Sequence, residues 1–244
     1  MKIIKYKKMS KGRYKVFLDN NKEIILYEDI ILKYNLLITK QIDDNIFEKI
    51  INDNNEYSVY DLALSYINTK IRCEKEIRNY LERKNIDSTL ITETIKKLKN
   101  NNFLDEISYI KAFTYDKFNL NNYGLNKIKR ELISLNLDRN LIEEYSVIDK
   151  EEELLKLEKL IDKKIKQMKN YAGSVLELKI TNYFYEQGYE KNDIKNILKT
   201  KNLVTDDLYI KEYDKLKKKY SKKYSGDELE RIIKQKLYLK GFRK

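Results

Sequence analysis

Hydrophobic and polar positions along the chain change period near residue 55. Before it, Arg13–Leu18 (RYKVFL) alternates polar and apolar residues, Asp19-Asn20-Asn21 offers turn chemistry, and Glu23–Tyr27 (EIILY) is apolar again. Two strands around a turn are the natural reading. Ile3, Ile4 and Tyr6 supply a third strand, which a hairpin needs to be stable in water. Asp29 is placed to cap a short helix through Tyr34. Asp43 or Asp44 is placed to cap another, with Ile46, Phe47, Ile50 and Ile51 on one face. The polar run Ile51–Ser58 (INDNNEYS) marks a boundary, so residues 1–55 are expected to form a small β-rich region.

After the boundary the period is helical. Val59, Leu62, Ala63, Tyr66 and Ile67 line one face at i, i+3, i+4, i+7 and i+8. A frame then recurs: Ile77, Leu81, Ile86; Ile128, Leu132, Leu137; Ile180, Phe184, Tyr189; Ile233, Leu237, Phe242. The central markers are 51, 52 and 53 residues apart. Ile91, Ile142 and Ile194 follow the first three by ten residues. One residue before the last member of each frame comes Asn85, Asn136, Gly188 or Gly241, the types that tolerate the left-handed backbone ending a helix. Tyr109–Phe113 (YIKAF) returns as Tyr209–Tyr213 (YIKEY), each after an acidic helix start. The unit is helix, loop, helix, tight turn, helix. The expected repeats are 59–104, 105–149, 150–204 and a partial 205–244. Each unit is too small to bury its own apolar surface, so neighbours should share faces. The fold class is therefore mainly α: an elongated tandem array of three-helix, helix-turn-helix-like repeats with a small β-rich N-terminal region. Four units in a row would reach about 80–100 Å.

Composition narrows the chemistry. Of 244 residues, 51 are Lys or Arg and 39 Asp or Glu, a net charge of +12, with no His, Pro or Trp and one Cys. The cation excess suits a polyanion such as nucleic acid, although a bias toward Lys, Asn, Ile and Tyr also produces it. Without His there is no Ser-His-Asp triad and no Cys/His zinc finger. Cys73 alone cannot form an internal disulfide, and reads as a packing residue. No apolar run approaches the roughly 20 residues of a membrane span, and the basic N-terminus lacks a signal peptide's apolar core. The expectation is a cytoplasmic monomer that is not an enzyme, with no catalytic, cofactor or metal residues.

The first two repeats carry a recognisable set of residues. Ala63, Tyr66, Ile67, Arg72, Glu76, Ile77, Leu81 and Lys84 are followed by Leu98, FLDE (Phe103–Glu106), Tyr109 and Phe113, then Gly124, Ile128, Glu131 and Leu132. Over about residues 59–145 this resembles the RecX family of bacterial RecA regulators, and the N-terminal β-rich extension looks like that of its low-GC Gram-positive members. Departures are Lys70 for a common Arg, Cys73 for Ser, Asn85 and Asn102 for Gly, and Ile110 for Ala. Lys70 keeps charge but loses the bidentate fork. The resemblance implies a protein that lodges in the groove of the RecA–single-stranded DNA filament. There it would restrain ATPase, strand-exchange and co-protease activities, and so regulate DNA repair and the SOS response.

Candidate filament- or DNA-binding residues are Lys70, Arg72, Lys75, Arg78 and Lys84 in the first repeat. Lys127, Lys129 and Arg130 follow in the second, and Lys217, Lys218, Lys234 and Lys236 in the fourth. Arg78, Lys129 and Lys234 each stand three before a marker, so they should project from equivalent places as a basic stripe. The competing reading is a solvated face with local pairs such as Glu74–Arg78. The lysine run Lys215–Lys223 could attract phosphates without base selectivity, while Tyr209, Tyr213, Leu216 and Tyr220 form its buried face. Implied partners are the RecA filament and single-stranded DNA, with duplex DNA a further candidate and no membrane. The alternatives are a sequence-independent DNA-binding helical array and a solenoid adaptor for another protein.

Overall fold

A computed structural model describes residues 1–204 and 206–242. Among them are three strands, β1 (Ile3–Lys8), β2 (Arg13–Leu18) and β3 (Glu23–Tyr27), and twelve helices. These are α1 (Glu28–Lys33), α2 (Asp44–Ile67), α3 (Glu74–Glu82), α4 (Ser88–Asn100), α5 (Glu106–Asn119), α6 (Leu125–Ser134) and α7 (Arg139–Tyr145). They continue with α8 (Lys150–Gln167), α9 (Gly173–Glu186), α10 (Lys191–Lys199), α11 (Asp206–Tyr220) and α12 (Gly226–Leu239). No helix among the described residues is long and apolar enough to cross a membrane. Contacts divide the chain into two compact units, Met1–Tyr109 and Ile110–Lys244, with the division inside α5.

In the first unit the three strands form an antiparallel sheet in the order β1-β2-β3. One face, with Ile3, Val16, Leu18 and Leu26, is buried against Ile30, Ile31, Leu36, Ile42 and Ile50. Strands and turn match the sequence pattern, with Asn21 at φ +63° in the hairpin. The polar boundary at Ile51–Ser58 does not exist: α2 runs unbroken through it. The reason is Asn54, buried despite its polarity. Its Oδ1 accepts the Tyr27 N–H at 3.0 Å and its Nδ2 donates to the Ile25 carbonyl at 3.0 Å. A polar side chain thus seals the edge of β3, and the helix beneath it continues into the first repeat. Asp29 caps nothing; it lies inside α1 and accepts a hydrogen bond from the Tyr57 hydroxyl. That bond, ahead of burial, pushes the Tyr57 phenol up to about 12. Asp43 stands at the N-cap of α2 without making the side-chain bond.

The marker frame is core throughout. Ile77, Leu81, Ile128, Leu132, Ile180, Phe184, Ile233 and Leu237 are all buried, as are Ile91, Ile142 and Ile194. Asn85, Asn136, Gly188 and Gly241 have φ of +58°, +62°, +96° and +90°. Ile86, Tyr189 and Phe242 donate their N–H groups to the carbonyls of Leu81, Phe184 and Leu237 at 3.3, 3.1 and 3.0 Å. This six-to-one closure brings the apolar residue after the turn onto the marker, which is why the two recur at a spacing of five. One residue past the frame, Asp87 and Asp138 cap α4 and α7 through backbone N–H groups. The sequence pattern had assigned these aspartates no part.

In the second unit the same turn also joins repeats. The Gly124 N–H, at the start of α6, donates to the Gln187 carbonyl at 2.8 Å; the Ala172 N–H, at the start of α9, donates to Lys240 at 2.9 Å. Backbones meet so closely that a Cβ on Gly188 would lie 2.3 Å from the Lys127 nitrogen, and one on Gly241 2.0 Å from the Ala172 oxygen. The face of α11 departs from the sequence reading in one respect. Leu216 is buried, but so is Glu212, whereas Tyr209, Tyr213 and Tyr220 are half-buried. Lys240 reaches the Glu212 carboxylate at 2.5 Å and neutralises it. The expected ends of the last repeat, at 205 and 243–244, lie outside the described residues.

These roles separate in a mutational test. Asn85→Ala should cost about 1 kcal/mol, the ordinary penalty of a left-handed L-residue. Gly188→Ala should cost at least about 3 kcal/mol, since its methyl also collides with backbone. Urea denaturation measures both; equal losses would show that the close approach carries no energy.

Candidate nucleic-acid and filament interface

Three candidate cations of the first repeat, Lys70, Arg72 and Lys84, gather around the connection from α2 to α3. The Arg72 guanidinium lies 4.0 Å from the ring centre of Tyr66. Tyr66 stacks on Tyr80 at 4.0 Å and 8°, and the Lys84 ammonium is 5.8 Å from the Tyr80 ring. Cation, ring, ring and cation thus form one ladder, its tyrosines packed on the repeat core. Glu76 is the anchor. It receives Arg72 at 3.4 Å, Lys70 at 3.6 Å and the Cys73 N–H at 3.2 Å. Tyr109, also beside Glu76 and Cys73, has its phenol pushed up, mainly by burial. Burial likewise raises the Cys73 thiol, in keeping with a packing residue.

Arg72 is largely enclosed, its side chain 13% exposed, and Thr69 Oγ1 takes a further hydrogen bond from it at 3.1 Å. Its fixed fork is held by three different groups, a role that Lys cannot reproduce. Lys70 and Lys84 remain exposed at the rim. The first repeat therefore presents two accessible cations over an aromatic stack, an arrangement suited to an anion or a flat ring. Periodicity puts Tyr66 in the apolar frame and gives Tyr80 no part; the stack of Arg72, Tyr66 and Tyr80 depends on the α2–α3 connection and carries no sequence signal.

Arg78, Lys129 and Lys234 do occupy the same place on their helices, but only one is available. Arg78 pairs with Glu74 at 3.3 Å, the local pairing weighed against the stripe. Lys99 and Arg78 together hold the Glu74 carboxyl below its usual range, Lys99 contributing more. Lys129 pairs with Glu143 across to α7 and is 21% exposed. Lys234 is exposed, with no ion-pair partner among the described residues. Lys75 is half-buried and engaged locally.

Lys127 lies 3.7 Å from the Tyr123 ring and donates to Gln187 Oε1 at 3.1 Å, adding a side-chain link to the joint between repeats. Arg130 is exposed, with Nε on the Asn126 carbonyl. Lys217 and Lys218 project from the last turn of α11, where cations also suit the helix dipole. Lys236 is half-buried on α12. A basic cleft of about 190 Å³ is lined by Lys163, Lys164, Gln167, Asn121, Asn122 and Tyr183. The Lys164 ammonium sits 3.6 Å from the Tyr183 ring. No sequence pattern marks this cleft, because its lining comes from three segments, the turn before α6, α8 and α9.

Comparisons with known proteins agree with this architecture. The family model for the RecX first three-helix domain matches residues 60–98. Regulatory protein RecX of Oceanobacillus iheyensis is 27% identical over 249 residues, spanning 96% of this chain and 90% of the relative. That of Bacillus cereus is 28% identical over 250 residues, spanning 98% and 92%. That of Finegoldia magna is 29% identical over 190 residues, spanning 77% and 93%. A crystal structure of regulatory protein RecX superposes with a TM-score of 0.68 at 20% identity, covering 81% of this chain and 98% of that one. RecX from Lactobacillus salivarius gives 0.54 at 21%, covering 61% and 97%. These two likenesses concern the fold.

The ladder makes a measurable demand on the protein itself. Arg72→Lys keeps the charge but loses the fork and the stacked plane, and should lower unfolding stability by about 1 kcal/mol. Unchanged chemical denaturation would mean that the stack holds nothing together.

Proposed function

The chain belongs to the RecX family, and from that premise we propose that it regulates the RecA recombinase by lodging on the RecA–single-stranded DNA filament. It acts mainly as a negative modulator, restraining ATP hydrolysis, strand exchange and co-protease activity, and so DNA repair and the SOS response. It works by binding, without catalysis.

The observation that carries this reading is the tandem order of three-helix repeats in a chain matched, over nearly its whole length, by relatives named regulatory proteins. A periodic ligand surface is best met by a periodic binder, and spread contacts let several weak sites act together. The accessible cations Lys70, Lys84, Lys218 and Lys234 suit an acidic filament surface or DNA phosphates. The remaining candidates, Arg72, Lys75, Arg78, Lys127, Lys129, Arg130, Lys217 and Lys236, belong to the same proposal, in part by shaping the surface. A sequence-independent DNA-binding array is the second reading, supported by the basic cleft beside Tyr183.

The decisive measurement adds the purified protein to RecA–single-stranded DNA filaments and follows ATP hydrolysis and filament length. Inhibition at or below stoichiometric amounts is expected. No effect would sink the filament reading, and tight binding to bare DNA with a steep salt dependence would favour the second. Within the filament assay, reversing Lys84, Lys218 and Lys234 together to Glu should weaken binding about tenfold or more. Arg78→Ala should change it little, because that cation is already paired.

A further inference from the structure

The N-terminal sheet has a second face that the functions above do not use. Strand register puts Lys7 directly across from Lys15, and Lys15 across from Ile25. In the next row Lys5, Phe17 and Glu23 lie side by side, and Arg13 shares their parity on β2. The opposite face carries Val16, Leu18 and Leu26 into the core, so this row of residues looks outward. Lys5 and Lys7 are exposed, Ile25 is 46% exposed, and Phe17 and Lys15 are half-buried. The Lys15 ammonium stands 5.4 Å from the Phe17 ring. Among the described residues Glu23 is the one acidic group in these strand rows opposing the four cations, and it is already paired with Lys15.

Two lysines directly across a strand pair repel, and a sheet chosen for stability alone avoids them. Lysine on an edge strand discourages pairing with a second chain, which accounts for Lys5 and Lys7. It does not account for Arg13 and Lys15 on the central strand. Parts of both sheet edges are also already bonded, by Asn54 at β3 and by the Lys40 carbonyl, which accepts the Ile3 N–H, at the start of β1. What remains is an open, cationic sheet face with an aromatic ring at its centre. A flat ring flanked by ammonium groups matches a stacked base flanked by phosphates.

We propose that the outer face of β1-β2-β3 is a binding surface for single-stranded nucleic acid, with Phe17 as the stacking platform and Lys5 and Lys7 as phosphate contacts, while Lys15 stays on Glu23 beside the ring. It is distinct from the helical surface assigned to the filament, and either can fail without the other. The test uses the full-length chain and a fluorescent oligo-dT, read by anisotropy across a salt series, with poly-glutamate as a second ligand. Replacing Lys5 and Lys7 together by Gln should weaken oligo-dT binding about tenfold and reduce the log–log salt slope by about 1.4. The thermal midpoint should hold or rise, because the Lys7–Lys15 repulsion is gone. Phe17→Leu keeps apolar bulk, and should weaken binding about tenfold with the slope unchanged. Unchanged oligo-dT binding in both variants overturns the proposal. So does a Phe17→Leu chain that binds oligo-dT and poly-glutamate like the parent, since the face would then be a charge patch for acidic protein.

Discussion

A helix that must turn sharply leaves its last carbonyls without partners, and closing them requires one residue with positive φ. In each repeat that residue follows the second helix, at Asn85, Asn136, Gly188 and Gly241. Most of the remaining organisation follows from it. The turn lays the next apolar side chain over the marker, sets the direction of the third helix, and exposes carbonyls at the turn's outer edge. In the second compact unit those carbonyls receive the first N–H of a helix in the preceding repeat. The two joints therefore use the orphan groups of two helix ends to satisfy each other. Asn suffices where only the dihedral matters, whereas Gly188 and Gly241 also admit a neighbouring backbone.

The repeat frame was legible because its causes are local. Helical period, turn residue and apolar spacing all lie within a dozen residues, and the buried markers follow them one for one. The strands were legible for the same reason. What could not be read was anything set by contact between distant segments. Asn54 looks like linker chemistry until β3 is placed beside it, whereupon its amide becomes a substitute for a strand partner. Glu212 looks solvent-facing until Lys240 arrives from the end of α12. Equivalence along the array was legible, but availability was not. Arg78 and Lys129 share a repeat position, and different carboxylates hold each of them.

That pairing alters how the charge of +12 should be understood. Many lysines are spent within the fold: Lys201 bridges Glu158 and Asp162, Lys150 bridges Glu153 and Asp193, and Lys117 meets Glu131. Others lie over aromatic rings, where their charge is partly compensated. Exposed pairs contribute little to stability, so their main effect is to leave a patterned excess. Exposed cations remain on the sheet face, at the rim of the first repeat and at the lysine-rich end of α11.

The closest approach between successive repeats in the second unit is made by main-chain atoms, with side chains such as Lys127 and Asn126 adding bonds around it. Every residue type but proline has the same amide N–H and carbonyl, so substitution rarely touches the bond itself; lack of room holds Gly188 and Gly241 fixed, and Gly124 beside Gly188 as well. Side chains on the outer surfaces are thereby released from structural duty. A lineage can drift toward lysine, asparagine, isoleucine and tyrosine, and retune what its surfaces attract, while the spacing of one repeat from the next stays where the backbone puts it.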